Sequence, residues 1–306
     1  MRDLVDFALK EKFAKVKKLR SKLSEMKQLL DWQSFSLLFP EKETSRGRPA
    51  YAAVLKLKSL FLQAWYNISD EELEFQINDR FSFQEFLDFP KSIPDYSTIW
   101  RFKEYLQEAD LTDKVWNELQ RQIDTKNIKV EEGSIQDARF VDAQPGKQSS
   151  DKINRGREAK TSRNKDATWT KKNGKSHFGY KLHTKVKRGS KIITRIAVTT
   201  AKVHDNNIDL GNEQDDVLYR DKAWTGTPTK AKGNGSMKRG KLSVKEKLRN
   251  KRIAKKRCQG EHPYGTMQRS FHAGTTKKTT TPRVFVQQLL VCMAYNLHRL
   301  RFLVSS

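Results

Sequence analysis

The sequence predicts an all-helical N-terminal domain, over about residues 1–128, followed by a mixed-sheet α/β domain over about residues 131–306. In the first part, apolar residues recur at spacings of three and four, which is the period of an amphipathic helix. From Gly133 they alternate instead, which is the period of a β-strand. The charge changes at the same place: residues 1–130 contain 22 Lys or Arg and 21 Asp or Glu, whereas residues 131–306 contain 39 and 15.

The N-terminal part is expected to contain four or five short helices. The first lies within residues 1–30, where apolar residues keep the helical spacing at Val16, Leu19, Leu23, Met26 and Leu30. The second follows the stretch SRGRPA and carries a stripe of Val54, Leu57, Phe61 and Trp65. Ser69 and Glu72 form a capping-box pattern that opens a third helix, and Asp95 can cap a further one. Such a bundle is consistent with a helix-turn-helix unit that reads DNA and equally with a small bundle that only packs.

The second part begins with strand patterns. GSIQDARFVDA predicts one strand, and HFGYKLHTKV and KIITRIAVTT predict a hairpin that turns near Gly189. In this hairpin, Lys181 and His183 are expected on a polar face, opposite Phe178, Tyr180, Leu182 and Val186. DVLYRD is a short strand, a helix is expected from Ser243, and an apolar stripe from Val286 to Leu300 marks a C-terminal helix. This order predicts a mixed sheet covered by helices.

The composition narrows the class of partner. The formal net charge is +25, which favours a polyanion, and nucleic acid before an anionic membrane. The two cysteines, Cys258 and Cys292, form no CxxC motif, so neither a disulfide framework nor a zinc finger is suggested. No apolar run approaches the length of a membrane span. We therefore expect a cytoplasmic, nucleoid-associated protein with no membrane partner. An RNA-binding protein is disfavoured because no RNP-type strand or GXXG loop is evident.

Three carboxylates have unusual settings within the basic half. Asp137 lies inside an apolar strand, where an unpaired charge is costly. Asp221 ends a strand, and open α/β sheets bind their ligands at the carboxyl ends of strands. Glu261 follows Arg257 by one helical turn in a basic helix. Asp and Glu oxygens are the ligands that Mg²⁺ prefers, so the three are candidate metal ligands, with a simple salt bridge as the alternative for each.

Two further acids are weaker candidates. Asp142 lies five residues after Asp137, so in a continuous strand its side chain points to the opposite face. Asp205 follows a strand beside His204, where a helix-capping role is the ordinary interpretation. Neither is expected to belong to the site.

Basic residues near these acids are the candidates for DNA binding. Between Lys222 and Glu261 the sequence has 14 basic residues and two acidic ones. Lys and Arg bind phosphates and supply affinity that does not depend on base sequence. We predict that eight residues bind DNA, both from this charge and from a family resemblance: Lys181, His183, Lys222, Lys238, Arg239, Lys241, Arg257 and Arg269.

Motifs along the whole chain resemble the DDE transposases of prokaryotic insertion sequences, in the InsH-like branch called insertion sequence family five. GRPAYAAVLKLKSLFLQAWYNISDEELEFQINDRFSFQEFLDFP and IPDYSTIWRF look like its N-terminal helical domain. QDARFVDA, SRNKDATWTKKNGKSHFGYKLHTKV, VTTAKVHD, YRDKAW, RCQGEHPYGTMQRSF and MAYNLHR follow the order of its catalytic domain. Four positions depart from the pattern of the family or of related groups: Ala223 and Trp224 in DKAW, Gln268 where a lysine is common, and Ala254 where some related groups have a tyrosine.

The resemblance implies a ribonuclease H-like catalytic domain in which Asp137, Asp221 and Glu261 are the catalytic and metal-binding residues. It further implies a pair of Mg²⁺ ions, with Mn²⁺ able to substitute, that support cleavage of double-stranded DNA at the terminal inverted repeats and strand transfer into target DNA. Two ends imply a homodimer or a larger assembly on DNA. The alternative function is a catalytically decayed or repurposed copy that only occupies the inverted repeats.

Overall fold

A computed structural model of the chain describes residues 11, 14–15, 22–40, 50–126, 128–129, 131–145, 164, 166–172 and 174–304. The chain divides into two compact units. The first consists of Met1–Asn127 together with Asn296–Ser306, and the second consists of Ile128–Tyr295. The C-terminal end therefore groups with the first unit, whereas the sequence predicted a second domain that runs to residue 306.

The first unit is built from helices. In chain order, the described helices are α1 (Lys22–Leu29), α2 (Ala53–Tyr66), α3 (Asp70–Asp79), α4 (Phe81–Phe86), α5 (Tyr96–Glu108) and α6 (Leu111–Asp124), with a 3₁₀ turn over Gln33–Leu38. Val16 and Leu19 of the first predicted stripe lie outside the described residues. The interior contains packed aromatic rings: the centroid of Phe61 is 5.7 Å from that of Trp32 and 5.5 Å from that of Phe86.

The predicted helix starts are confirmed. The Ser69 side chain accepts a hydrogen bond from the Glu72 backbone N–H at 3.1 Å, and Asp95 accepts one from the Thr98 N–H at 2.6 Å. Each bond satisfies a backbone donor that has no partner within its helix. Helix starts of this kind can be predicted because the capping interaction spans only three residues.

The second unit contains a mixed sheet. Its strands are β1 (Ser134–Ala143), β2 (Thr168–Lys172), β3 (Lys175–Lys187), β4 (Ile193–Thr200), β5 (Val217–Arg220), β6 (Gly233–Ser236) and β7 (Thr275–Thr276). The order is β2-β3-β1-β5-β6, with β4 also paired to β3 and β7 to β1. β3 is antiparallel to β1, β2 and β4, whereas β5 is parallel to β1 and β6. The prediction of a mixed-sheet domain is confirmed.

Two long helices follow the strands. α7 (Val244–Phe271) begins where the sequence predicted, and a complete capping box joins Ser243 and Glu246. α8 (Thr281–Val304) carries the predicted C-terminal apolar stripe, whose members Leu289, Met293 and Leu297 are buried. None of the helices in the described part of the chain is long and apolar enough to cross a membrane.

The predicted polar face of the β3–β4 hairpin is not exposed to solvent. Lys181 and His183 do lie opposite Tyr180 and Leu182, but all four side chains are buried. The segment after β4 covers this second face, where Lys181 Nζ contacts Asp205 at 2.8 Å. The expectation of an exposed face is wrong because alternation along a strand reports only which residues share a side, and a covering loop can bury either side.

His183 is held neutral by this burial. Its ring Nε2 lies 2.9 Å from Thr199 Oγ1, and the side chain has no exposed surface. Burial lowers the pKa of His183 to about 4, with the charge of Lys181 acting in the same direction and that of Asp205 against it. A neutral, enclosed imidazole is a poor surface ligand for a phosphate.

The other face of the sheet packs tightly on α7. Ile135 of β1, Tyr219 of β5 and Ile253 of α7 form a buried cluster. The closest approach is at Gly260, where an added Cβ would lie 2.6 Å from Cγ2 of Ile135. Only a residue without a side chain allows α7 to approach β1 so closely.

Replacing Gly260 by Ala is expected to lower the free energy of unfolding by about 1–3 kcal/mol, because Ile135 is fully buried and cannot move aside freely. Gly265→Ala on the same helix is the matched control, since its added Cβ meets only Arg269 Nη2 at 3.9 Å. That change should be neutral or stabilise by up to about 1 kcal/mol through helix propensity. Urea unfolding followed by circular dichroism compares the two, and equal stabilities would contradict the tight contact at Gly260.

The depressed pKa of His183 predicts a loss of stability in acid. Well above pH 6.5 the residue is neutral in both the folded and the unfolded chain, so it has no effect there. As the pH falls from 6.5 towards 4, the unfolded chain takes up the proton first, and the folded state loses up to about 3 kcal/mol. His183→Asn should remove this part of the pH dependence in urea titrations between pH 4 and 7; an unaltered dependence would contradict the buried, neutral assignment.

Candidate active site

The pairing of β1 with β5 brings two of the predicted carboxylates together. The strands are parallel, with Ser134 opposite Leu218 and Ile135 opposite Tyr219. Continued by two residues, this register sets Asp137 beside Asp221, just beyond the last residue of β5. Because side chains alternate along a strand, both acids share the face of Ile135 and Tyr219, which is the face that α7 covers.

Asp137 is held from several sides. Its backbone carbonyl accepts a hydrogen bond from the Tyr264 hydroxyl at 2.8 Å, and Thr184 donates to that hydroxyl at 2.9 Å. Its carboxylate lies 3.5 Å from Nη2 of Arg257. Burial raises the pKa of Asp137, and the negative charge of Asp221 raises it further, while the Arg257 charge and the N–H of Ala138 act in the opposite direction.

Asp221 turns the chain as β5 ends. Its Oδ1 accepts a hydrogen bond from the Ala223 N–H at 2.6 Å, which opens a 3₁₀ turn over Lys222–Trp224. Trp224 is buried, and its indole N–H donates to the Ile208 carbonyl at 3.3 Å. The unusual tryptophan therefore anchors the turn that follows Asp221.

Glu261 lies on α7, one turn after Arg257 and one residue after Gly260. Its side chain is exposed. Throughout the described ranges, no group of three or more His, Cys, Asp or Glu side chains is close enough to hold a metal ion. The structure thus brings Asp137 and Asp221 together and leaves Glu261 on the adjacent helix, on the flank that also carries Arg257.

The predicted DNA-binding residues fall into two groups. Lys181 and His183 are buried and bonded within the unit, which corrects their expected surface position. Arg257 is mostly buried, and its guanidinium lies beside the carboxylate of Asp137. The remaining candidates are exposed: Lys222, Lys238, Arg239, Lys241 and Arg269.

The weaker acidic candidates lie away from this face. Asp142 contacts Nδ1 of His177 at 3.0 Å, and the ring of His177 stacks on Phe140 with centroids 4.1 Å apart. Asp205 is paired with Lys181. Both sit on the opposite side of the sheet from Asp137, as the strand alternation predicts for Asp142.

Tyr264 is a residue that sequence reasoning missed. It is buried and joins α7 to both β1 and β3 through its hydroxyl, which also lies 3.3 Å from the Leu182 carbonyl. Its spacing offered a signal: Tyr264 lies four residues after Gly260 and seven after Arg257, so the three occupy one helical face. Nothing in the sequence indicated that the carbonyl of Asp137 would be its partner.

Two family models match the chain. A transposase domain (DUF772) matches residues 10–105, and a transposase DDE domain matches residues 123–297. No solved structure matches the chain. The second match covers more than half of the sequence, contains both neighbouring aspartates and carries a ribonuclease H-like fold. The chain belongs to the DDE transposases of insertion-sequence type.

Proposed function

We propose that this transposase cuts DNA at the terminal inverted repeats of its own insertion sequence and joins the freed ends to target DNA. We further propose that it belongs to the InsH-like branch, insertion sequence family five, on the motifs quoted above. The observation that carries the proposal is the register of β1 and β5, which sets Asp137 beside Asp221 on one face of the sheet. In a DDE transposase, two aspartates so arranged are the expected centre of the chemistry.

The donor set fits a divalent cation of the Mg²⁺ type. Asp137 and Asp221 offer carboxylate oxygens, which hard cations prefer. Burial is the main reason why the pKa of Asp137 is raised, and the negative charge of Asp221 adds to it; a bound cation would offset both effects by stabilising the charged carboxylates. We propose that Asp137 and Asp221 hold Mg²⁺, or Mn²⁺ in its place, and that Glu261, which stands apart from them on α7 in this structure, joins them when the cation binds. The bound cation supplies a nucleophile at neutral pH and stabilises charge on the phosphate.

Neighbouring residues hold these acidic residues in position. Tyr264 fixes the main chain of Asp137 from the helix side, and the bond from Ala223 orients the carboxylate of Asp221. Gly260 lets α7 approach β1, which brings the flank of the helix that carries Arg257 and Glu261 towards the sheet. The rigid helix and strands limit how far each oxygen can move, which is what accurate positioning of a phosphate requires.

The DNA is proposed to run along the basic segment of residues 222–257. Lys222 follows Asp221 directly, and Lys238, Arg239 and Lys241 are exposed before the start of α7. Exposed cations bind phosphates without reading sequence, so this segment supplies affinity and leaves recognition of the ends to other contacts. Two ends must be joined in one event, so we propose at least a dimer on DNA.

Asp137→Asn, Asp221→Asn and Glu261→Gln are each expected to reduce Mg²⁺-dependent cleavage at the element end by about two orders of magnitude or more, because the carboxylates act as one unit. DNA binding should persist, since the basic surface is unchanged. Asp142→Asn is the matched control, because it removes the same charge from β1 on the opposite face. The readouts are the new 3′-hydroxyl at the boundary and the affinity for the same duplex.

The cleavage assay distinguishes an active transposase from a catalytically decayed or repurposed copy. If the unmodified chain binds its ends but never cuts them with Mg²⁺ or Mn²⁺, the decayed or repurposed copy replaces the enzyme. Gln268→Lys, which restores the common family lysine, is then the first change to test for recovered cutting. Loss of cleavage in Asp142→Asn as large as that in Asp137→Asn would contradict the assignment of the site to the α7 face.

Neutralising Lys238, Arg239 and Lys241 together is expected to flatten the salt dependence of DNA binding. Each phosphate contact contributes about 0.9 to the slope of log K against log salt for duplex DNA, so three lost contacts should lower it by about 2.7. Lys238 also pairs with Glu246 at 2.8 Å, which reduces its share. Binding isotherms at several salt concentrations give the slope.

The control for this experiment removes equal charge elsewhere in the same unit. Three exposed lysines on the β2–β3 hairpin serve this purpose: Lys171, Lys172 and Lys175. A slope that falls as much in this control as in the first triple variant would contradict the proposed path.

A further inference from the structure

Arg257 occupies an unusual position in the carboxylate site. Its Nη2 lies 3.5 Å from Oδ1 of Asp137, and the side chains of the two residues are 16% and 19% exposed. At that separation the contact is an ion pair, since a well-formed N–H···O bond is nearer 2.9 Å. The guanidinium is therefore close enough to neutralise Asp137 but is not locked to it.

The same guanidinium has an unused donor. Nε of Arg257 is buried and has no hydrogen-bond acceptor among the described residues. An arginine side chain carries five N–H donors in a planar fork, and a buried donor without a partner is unfavourable. Arg257 would gain from an acceptor with several oxygens, and a DNA phosphate is the acceptor that a guanidinium binds bidentately.

A divalent cation and the guanidinium compete for one carboxylate. Under the proposed function, Asp137 supplies oxygen to the cation, yet its Oδ1 is the atom that Arg257 approaches. Two positive groups at one carboxylate repel each other, so each weakens the binding of the other. A phosphate that draws Arg257 away from Asp137 removes this competition.

We infer that Arg257 is a positioning residue that exchanges Asp137 for a DNA phosphate, so that DNA binding and divalent-cation binding at the carboxylates strengthen each other. The inference rests on the proposed function. Because coupling of this kind is reciprocal, the cation must raise the affinity for DNA by the same factor by which DNA raises the affinity for the cation. The cation is thereby bound tightly only when a phosphate is in place to be cut.

Arg139 provides a charge-matched comparison. It lies on β1 two residues after Asp137, it is exposed, and its guanidinium stands 5.5 Å from the centre of the Tyr264 ring. Its positive charge also lowers the pKa of Asp137, but more weakly than that of Arg257. Arg139→Gln thus removes the same formal charge from the site without removing the ion pair.

The test measures Mn²⁺ binding to the full chain by electron paramagnetic resonance, with and without a duplex carrying the terminal repeat of the element. Without DNA, Arg257→Gln is expected to bind Mn²⁺ about fivefold or more tightly than the unmodified chain, and Arg139→Gln to change the affinity much less. DNA should raise the Mn²⁺ affinity of the unmodified chain by a similar factor. That gain should be largely absent in Arg257→Gln.

Arg257→Lys supplies a second readout if the glutamine variant does not fold. A lysine keeps the charge beside Asp137, so Mn²⁺ binding without DNA should stay weak, and it cannot bind a phosphate bidentately, so the gain from DNA should shrink. Mn²⁺ affinities that are the same in the unmodified chain and both Arg257 variants overturn the inference and leave the proposed function intact. If the unmodified chain binds no Mn²⁺ even with DNA, the metal site of the proposed function fails and the inference fails with it.

Discussion

The close contact between α7 and β1 is the constraint on which the rest of the second unit depends. At Gly260 the helix backbone lies directly against Ile135, and this contact fixes how far α7 stands from the sheet. Tyr264 then reaches the carbonyl of Asp137, Arg257 reaches its carboxylate, and Glu261 takes its place on the same flank. A wider spacing would break these contacts together, because they belong to one rigid helix.

Charged side chains are arranged differently on the two faces of the sheet. On the face away from α7, acids and bases are matched: Lys181 with Asp205 and Lys185 with Asp215, each at 2.8 Å. These pairs hold the segment after β4 against the sheet, and neither partner is left without an opposite charge. On the α7 face, Asp137 and Asp221 lie side by side, and the closest guanidinium, that of Arg257, approaches Asp137 only to 3.5 Å. Matched pairs are typical of structural burial, whereas two adjacent carboxylates, one of them with a raised pKa, are typical of a functional site.

The charge of the chain is likewise divided between two roles. Lys181, Lys185 and Arg220 are buried and serve packing, although the sequence alone counts them with the basic excess. The exposed cations of the segment before and along α7 remain available for a polyanion. Net charge therefore indicated the right class of partner, while its assignment to particular residues required knowledge of burial. Lys181 and His183 illustrate the difference, since strand alternation placed them on the correct side but could not reveal that the side is covered.

The sequence by itself determined the features that depend on neighbouring residues: the helix starts at Ser69, Asp95 and Ser243, the strand patterns, and the family motifs that single out Asp137, Asp221 and Glu261. These features are encoded within a few residues, so they can be recognised without a fold. Only the tertiary structure decided the register of β1 against β5, the Arg257 ion pair and the role of Tyr264, because each joins residues about 80 to 130 positions apart. No local pattern encodes such contacts; they follow from how closely a helix can pack on a sheet.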